Sequence, residues 1–444
     1  MRIGIGGFRA LARRAVPRWL LPLIFAGWVI EGWFLGDTYE DDKATQAEAL
    51  ERSADVAMTL DRLLAEQGAL VNFLIGSGDS GETREWIDEE IRTYDLGEET
   101  EMDDLLRARE GESSEESLLA YLVAEDLEPD EEDWSDLEGY YQGTAWYGWQ
   151  AEAFREVAGE ESPAWVETGL AQRVKMEKWM VAGTTVAAGA TLAFMLAGLV
   201  GVGEWWRSLR ENPAPPRRLA VWAAGWIVLV YLLSDVAMNR TLSQVYVGLA
   251  MLEEWPLWVD IVVDALWRIG GVFLVLLLVL PRLSLAWRWF GMDRPTGWRA
   301  TLAWLAVLLL VGSLWYPPAS EWFPEPVSLS FEEDGWWGLV YSVVSGVILA
   351  PVCEEIIYRG VLFAGLWKKL GFWGAALVSS LVFTIVHHYG VAGTVGVFLL
   401  GVGCCVLYRR TGSLKGPIFL HAVYNGLITI SSWTAYNAPF SLDL

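Results

Sequence analysis

The last quarter of the chain concentrates side chains that can take up, hold and donate protons. Glu354 and Glu355 supply carboxylates, and a carboxylate can act as the general base that takes a proton from water. A neighbouring imidazole can hold that water, and a second histidine with an asparagine amide can donate hydrogen bonds to a developing oxyanion. Together these groups predict hydrolysis of a peptide bond by an activated water molecule, without a nucleophilic serine or cysteine.

The spacing of these residues predicts one shared polar cavity. The chain has three histidines, His387, His388 and His421, and all lie in apolar segments. Residues four apart share a helix face, and three such pairs occur: Glu355 with Arg359, Phe383 with His387, and His421 with Asn425. Because unpaired polar groups are costly in lipid, we expect these faces to turn toward one another.

Three short motifs resemble those of the CPBP family, the CAAX proteases and bacteriocin-processing enzymes also called Abi-type intramembrane proteases. EEIIYR fits EExxxR, FTIVH fits FxxxH and HAVYN fits HxxxN, in this order on successive hydrophobic segments. The resemblance covers roughly residues 335–433 and does not reach the acidic region described below.

The resemblance implies a role for each matched residue. Glu354 would activate water together with His387, and His421 and Asn425 would stabilise the oxyanion or help hold the water. Glu355 and Arg359 would orient the site, while Phe383 is expected to form its wall. The favoured hypothesis requires no cofactor. The family has been described both as glutamate-dependent peptidases and as metalloproteases, so a zinc-like divalent ion held by Glu354, His387 and His421 is the open alternative.

The elements that position these residues are predicted to be transmembrane helices. The chain is 53% hydrophobic over 444 residues, and its apolar runs have the length that crosses a bilayer. We therefore predict an all-α polytopic bundle of about 8–9 transmembrane helices. The predicted spans lie at about 19–35, 179–202, 219–238, 257–280, 300–316, 336–353, 372–389, 391–408 and 416–433.

Charge outside the spans predicts the orientation of the chain and a separate acidic domain. Of the 57 acidic residues, 39 lie between Asp37 and Glu167, against eight basic residues there. The basic start and the alternating charge of later connections predict a cytoplasmic N-terminus and an extracytoplasmic acidic region. This layout suits a prokaryotic inner membrane. The net charge of −25 excludes nucleic acid as a partner, since phosphate binding needs clustered cations.

Five segments follow from these patterns. They are a signal-anchor helix (1–36), an acidic and mainly helical extracytoplasmic region (37–176), transmembrane helices of unassigned role (177–334), the catalytic membrane domain (335–433) and a C-terminal tail (434–444).

Other reactive side chains have simpler interpretations. His388 points about 100° away from His387 on a helix, which favours a bystander. The Gly78-Asp79-Ser80-Gly81 stretch resembles a serine-hydrolase signature, but the acidic region contains no histidine to activate the serine. Asp260, Asp264 and Arg268, spaced by four, predict an ion ladder along one helix, with a proton or ion path as the alternative. Cys353, Cys404 and Cys405 are expected to be buried thiols.

The predicted function is an intramembrane endopeptidase that acts on a membrane-associated protein or peptide. The sequence places Glu354 and His387 at different depths in the bilayer, because Glu354 lies near one end of its predicted span and His387 lies about 15 residues into another. A tilted or kinked helix, or a recessed start around Gly371 and Gly374, would remove this mismatch. Two other hypotheses stay open: a proton- or ion-coupled transporter or channel, and a catalytically silent scaffold such as an immunity protein. Peptide maturation, self-immunity and membrane-protein turnover are all open as processes, and the sequence predicts no oligomeric state.

Overall fold

The computed structural model describes residues 163–210, 257–279, 286–322, 335–387 and 389–436, together with thirteen single positions between residues 50 and 154. These stretches contain helices, turns and short connections, without a β-strand. The predicted all-α class is therefore confirmed for the described part of the chain. The predicted spans 19–35 and 219–238 and most of the acidic region lie outside the described residues, so the helix count and the acidic domain stay predictions.

The described helices are numbered here in chain order. They are α1 (Ala164–Leu199), α2 (Val202–Arg210), α3 (Leu257–Val279), α4 (Ala286–Trp289), α5 (Trp298–Trp322), α6 (Gly335–Tyr341), α7 (Ala350–Glu354), α8 (Ala364–Ile385), α9 (Val391–Thr411) and α10 (Lys415–Tyr436). Two π-helical segments, Ser342–Leu349 and Glu355–Phe363, flank α7 and make α6 to α8 one continuous helical run. Such wider turns are rare and occur frequently at functional sites.

Four of the described helical stretches are long and apolar enough to cross a membrane. They are Ala164–Leu199, Trp298–Tyr316, Trp336–Ile385 and Val391–Thr411. With helices of this length and composition, the chain is an integral membrane protein. The third stretch has 50 residues, more than one crossing needs. It contains the predicted span 336–353 and the predicted span 372–389 as far as Ile385, so the second span was predicted too long and His387 lies beyond the helix. Residues 354–370 between those spans are helical, and the helical conformation is interrupted at Gly371.

The 50-residue run folds back on itself at Gly371. This residue has φ 71° and ψ 179°, a conformation that only glycine adopts without strain. Beyond it, the chain runs antiparallel to its first half. Ser379 Oγ donates to the Tyr358 carbonyl at 2.9 Å, and the rings of Phe363 and Phe372 meet edge to face at 5.8 Å. The predicted depth mismatch between Glu354 and His387 is thereby removed, because the hairpin returns the chain to the level at which it began.

Small residues allow the helices around this hairpin to approach closely. A Cβ on Gly401 of α9 would lie 2.9 Å from Ser380 of α8, and a Cβ on Gly360 would lie 2.5 Å from the Phe290 ring. Close approach at small residues is the usual packing mode of membrane helices. The three cysteines are free and buried in or beside this bundle, as predicted.

The chain divides into two compact units, each made of three segments, and one of the boundaries between them falls within α1, between Ala190 and Thr191. In the unit that contains residues 39–190, Arg173 of α1 is completely buried and binds Asp55 through both terminal nitrogens, at 2.7 and 2.9 Å. Aromatic rings of the same unit pack against one another. The Trp146 ring stacks on Phe154 at 4.4 Å and meets Trp165 edge to face at 5.9 Å. The predicted catalytic residues belong to the other unit.

Candidate functional site

Glu354 is the meeting point of the candidate site. It is the last residue of α7, directly before the second π-helical segment. Its Oε2 atom lies 3.6 Å from Nε2 of His387 and 3.9 Å from Nε2 of His421. Three sequence segments, separated by 33 and 34 residues, therefore bring one carboxylate and two imidazoles together.

His387 lies in the turn that follows α8, two residues beyond Ile385. Its Nδ1 atom is 2.5 Å from the Phe383 carbonyl oxygen. A carbonyl only accepts hydrogen bonds, so Nδ1 carries a proton and Nε2 is directed at Glu354. The imidazole packs edge-on to Phe383 at 4.6 Å and parallel to Tyr389 at 5.6 Å. These contacts fix the ring orientation.

His421 is buried on α10 and is held from its other nitrogen. Nδ1 lies 3.1 Å from Oε1 of Glu355, which accepts the hydrogen bond. This contact aims Nε2 toward Glu354, so the two neighbouring glutamates occupy opposite nitrogens of one imidazole. A carboxylate behind a functional histidine sets its tautomer and orientation.

Glu355 and Arg359 form the predicted pair. Arg359 Nη1 lies 2.9 Å from Glu355 Oε1, and both side chains are completely buried. The guanidinium carbon sits 4.2 Å from the centre of the Phe383 ring, which is within the range of a cation–π interaction. Phe383 also contacts His387 and His421, so one ring packs against the arginine and both imidazoles.

Asn425 stands one turn beyond His421 on α10. Its Nδ2 atom donates to the Gly346 carbonyl at 2.9 Å, in the first π-helical segment. This bond uses one of the two hydrogens of the amide nitrogen, and the second hydrogen can donate to another acceptor. The predicted role of Asn425 toward an oxyanion stays a prediction.

Several polar atoms of the site are buried without a hydrogen bond to any described residue. They are Oε2 of Glu354, Oε2 of Glu355 and all three guanidinium nitrogens of Arg359. The short contact between Arg359 and Glu355 is thus an ion pair in which the N–H group does not point at the carboxylate oxygen well enough to form a hydrogen bond. Since buried polar groups in folded proteins are nearly always bonded, this cluster has the composition of a place where a polar ligand or water binds.

One set of residues near Glu354 was not predicted as part of the site. On α3, Arg268 Nε contacts both carboxylate oxygens of Asp264 at 2.9 Å, and Arg268 Nη1 lies 3.8 Å from Glu354 Oε1. The predicted pairing of Asp264 with Arg268 is confirmed, whereas the side chain of Asp260 and the whole of His388 lie outside the described residues. The four-residue spacing predicted the contact between Asp264 and Arg268, but it gave no signal for the contact between Arg268 and Glu354.

Glu354, His387 and His421, the predicted ligands of a metal ion, all lie in the described part of the chain. No group of three His, Cys, Asp or Glu side chains there is arranged to hold a metal ion. The facing atoms of Glu354 and the two histidines are 3.6 and 3.9 Å apart, close to the roughly 3.3–3.6 Å that separates two tetrahedral ligands when each lies about 2.0–2.2 Å from a zinc ion. The metal alternative therefore stays a prediction.

Comparison with known proteins points to one family. Residues 336–427 match the family described as "Type II CAAX prenyl endopeptidase Rce1-like". In Bacillus subtilis (strain 168), the protein named "Putative membrane peptidase YdiL" is 34% identical over 88 residues, which are 20% of this chain and 36% of that protein. The chain thus spans about a third of the length of this relative. No solved structure matches the chain significantly.

Proposed function

Because residues 336–427 match the family of Rce1-like CAAX prenyl endopeptidases, we propose that this protein is an intramembrane endopeptidase. It hydrolyses a peptide bond in a membrane-associated protein or peptide, with water activated by Glu354 and His387. The observation that carries the proposal is the convergence of Glu354 Oε2 on Nε2 of both histidines, at 3.6 and 3.9 Å. Both comparisons name peptidases, which favours this function over a transporter or a silent scaffold.

The distances around Glu354 suit a bridging water. Both contacts exceed the length of a direct hydrogen bond, and polar groups at such separations are commonly joined through water. His387, with its proton on Nδ1, presents a lone pair at Nε2 that can accept from that water. Glu354 then takes a proton from the water as its oxygen attacks the substrate carbonyl carbon.

The remaining side chains serve the tetrahedral intermediate. His421 donates Nδ1–H to Glu355, and in its doubly protonated form it also donates Nε2–H to the oxyanion, with the second amide hydrogen of Asn425 as the further donor. When the C–N bond breaks, the proton held by Glu354 passes to the departing amine. The products are a carboxylic acid, which then releases its proton to solvent, and an amine, and Glu354 returns to its starting state.

The test is hydrolysis in labelled water by the purified full chain in lipid vesicles. The wild type is incubated with a membrane-protein extract and, separately, with a farnesylated CAAX peptide, in water enriched in oxygen-18. We expect new C-terminal carboxylates that carry the label and that are missing with the Glu354→Gln variant. Cleavage should persist in a strong chelator if no metal takes part. The proposal fails if the wild type produces no labelled terminus from either source.

A further inference from the structure

Helix α3 lies outside the segment that matches the peptidase family, yet it reaches the central carboxylate of the candidate site. Residues 336–427 carry the match, whereas α3 covers Leu257–Val279. Arg268 of this helix forms an ion contact with Glu354, through Nη1 and Oε1 at 3.8 Å. Helix α3 is largely apolar, and burying a charged side chain is costly unless the charge is paired.

The guanidinium of Arg268 is held by Asp264, and Asp264 is in turn held by Ser345. Its Nε donates to both carboxylate oxygens of Asp264, one turn earlier on α3, at 2.9 Å each. Asp264 Oδ2 in turn accepts a 2.5 Å hydrogen bond from Ser345 Oγ. Ser345 is buried in the first π-helical segment, which leads directly into α7 and Glu354. The arginine is therefore fixed against the same helical run that carries the carboxylate it faces.

The two oxygens of Glu354 have different neighbours. Oε1 faces the Arg268 cation, and Oε2 faces the two imidazoles. A carboxylate without such a fixed charge could rotate about its last torsion, since terminal sp³–sp² torsions are broad. A cation on one side favours the rotamer that leaves Oε2 directed at His387 and His421.

We propose that Arg268, anchored by Asp264 and Ser345, is a positioning residue that orients Glu354 for water activation. This inference rests on the proposed peptidase function and adds a helix from outside the matched segment to its site. Arg268 does not take up a proton from water and is not assigned a contact with the substrate. Its role is to keep the base aligned, and misalignment of a catalytic group lowers the rate of the chemical step more than it weakens substrate binding.

The experiment compares four variants of the full chain in lipid vesicles. They are Arg268→Met, Arg268→Lys, Asp264→Asn and the control Arg207→Met. Arg207 is an exposed arginine of α2 that pairs with Glu204 three residues away, so the control also loses an ion pair. Activity is measured on a quenched fluorescent peptide that spans the bond most strongly cleaved in the labelled-water experiment. Thermal unfolding of each variant is recorded in parallel.

The proposal predicts a loss in kcat with little change in KM. Arg268→Met should lower kcat roughly 10- to 100-fold, Asp264→Asn should lower it less, and Arg268→Lys should recover most of the loss because it keeps the charge. Arg207→Met should behave as the wild type. In a Glu354→Gln background, Arg268→Met should cause no further loss, since both changes act on one group.

Each contrary result is distinct. Wild-type kcat in folded Arg268→Met, or the same additional loss in the Glu354→Gln background, overturns the inference and leaves the proposed function intact. If Arg268→Met does not fold, a kcat of Arg268→Lys and Asp264→Asn equal to that of the wild type overturns it equally. If the wild type cleaves nothing, both the function and the inference fall.

Discussion

Arg173 and Arg359 are both completely buried, but their surroundings differ. The five N–H groups of Arg173 face five acceptors: two oxygens of Asp55, Oγ1 of Thr59, Oε1 of Glu177 and the carbonyl of Trp146. Arg359 has an ion contact with Glu355 and the face of Phe383, and none of its nitrogens makes a hydrogen bond to a described residue. The first environment is saturated and the second is not.

This difference separates a group that holds structure from a group that prepares chemistry. A saturated buried charge gains nothing from a ligand, so the Arg173 cluster is expected to act on stability alone. Unsatisfied polar atoms around Arg359, Glu354 and Glu355 leave bonds to be made by water, substrate or an oxyanion. Natural proteins accept such incomplete bonding mainly at functional sites.

The largest stability effect is expected from removing Arg173. Arg173→Met leaves the buried Asp55 carboxylate without its cation, which should lower the free energy of unfolding by about 3–5 kcal/mol. Thermal or denaturant unfolding of the purified chain measures this loss. The double variant Asp55→Leu/Arg173→Leu removes both charges and should lose less. Cleavage per folded molecule should stay at the wild-type rate, and a specific loss of kcat would contradict the structural role.

Arg359→Met should show the reverse pattern. Glu355 keeps His421 as a partner, at 3.1 Å, so the unfolding free energy should fall less than in Arg173→Met. Because Glu355 positions His421, kcat should fall roughly 10- to 100-fold. Parallel measurement of unfolding and cleavage in the two variants sharpens the comparison. Equal losses of stability, with the cleavage rate retained by Arg359→Met, would remove the distinction drawn between the two arginines.

The smallest effect is expected at the hairpin that brings His387 to Glu354. Gly371→Ala meets no atom within 4 Å, but the positive φ of this residue should cost about 1–2 kcal/mol of stability. Gly312→Ala is the matched control, because Gly312 is also open to its surroundings but has an ordinary helical φ. It should be neutral or slightly stabilising. An equal loss at both positions in thermal unfolding would show that backbone conformation at Gly371 does not shape the site.

Local spacing predicted the part of this site that depends on single helices. The Glu355–Arg359 pair and the Phe383–His387 contact follow from residues four apart. The contact between Asp55 and Arg173 could not be foreseen, because the two residues are 118 positions apart and Asp55 is one of 39 acids in its region. A side chain buried for structure carries no mark that distinguishes it from a solvated one.

Two other features needed three-dimensional information. A glycine within a helical pattern is usually tolerated without a break, so Gly371 could be suggested as a kink but not identified as the point of reversal. Arg268 matched a local ion ladder, and its approach to Glu354 depends on how α3 packs against the first π-helical segment. The π-helical turns themselves have no clear residue signature in a run of apolar side chains.

The central claim is that Glu354 and His387 act on the same water molecule. A double-mutant cycle on kcat/KM tests it most directly, with Glu354→Gln, His387→Ala and the combined variant assayed on one cleaved peptide. We predict that Glu354→Gln lowers the rate roughly 10²- to 10⁴-fold and that the combined variant loses no more than the worse single variant. Wild-type cleavage by Glu354→Gln, or losses that simply multiply, would contradict this account.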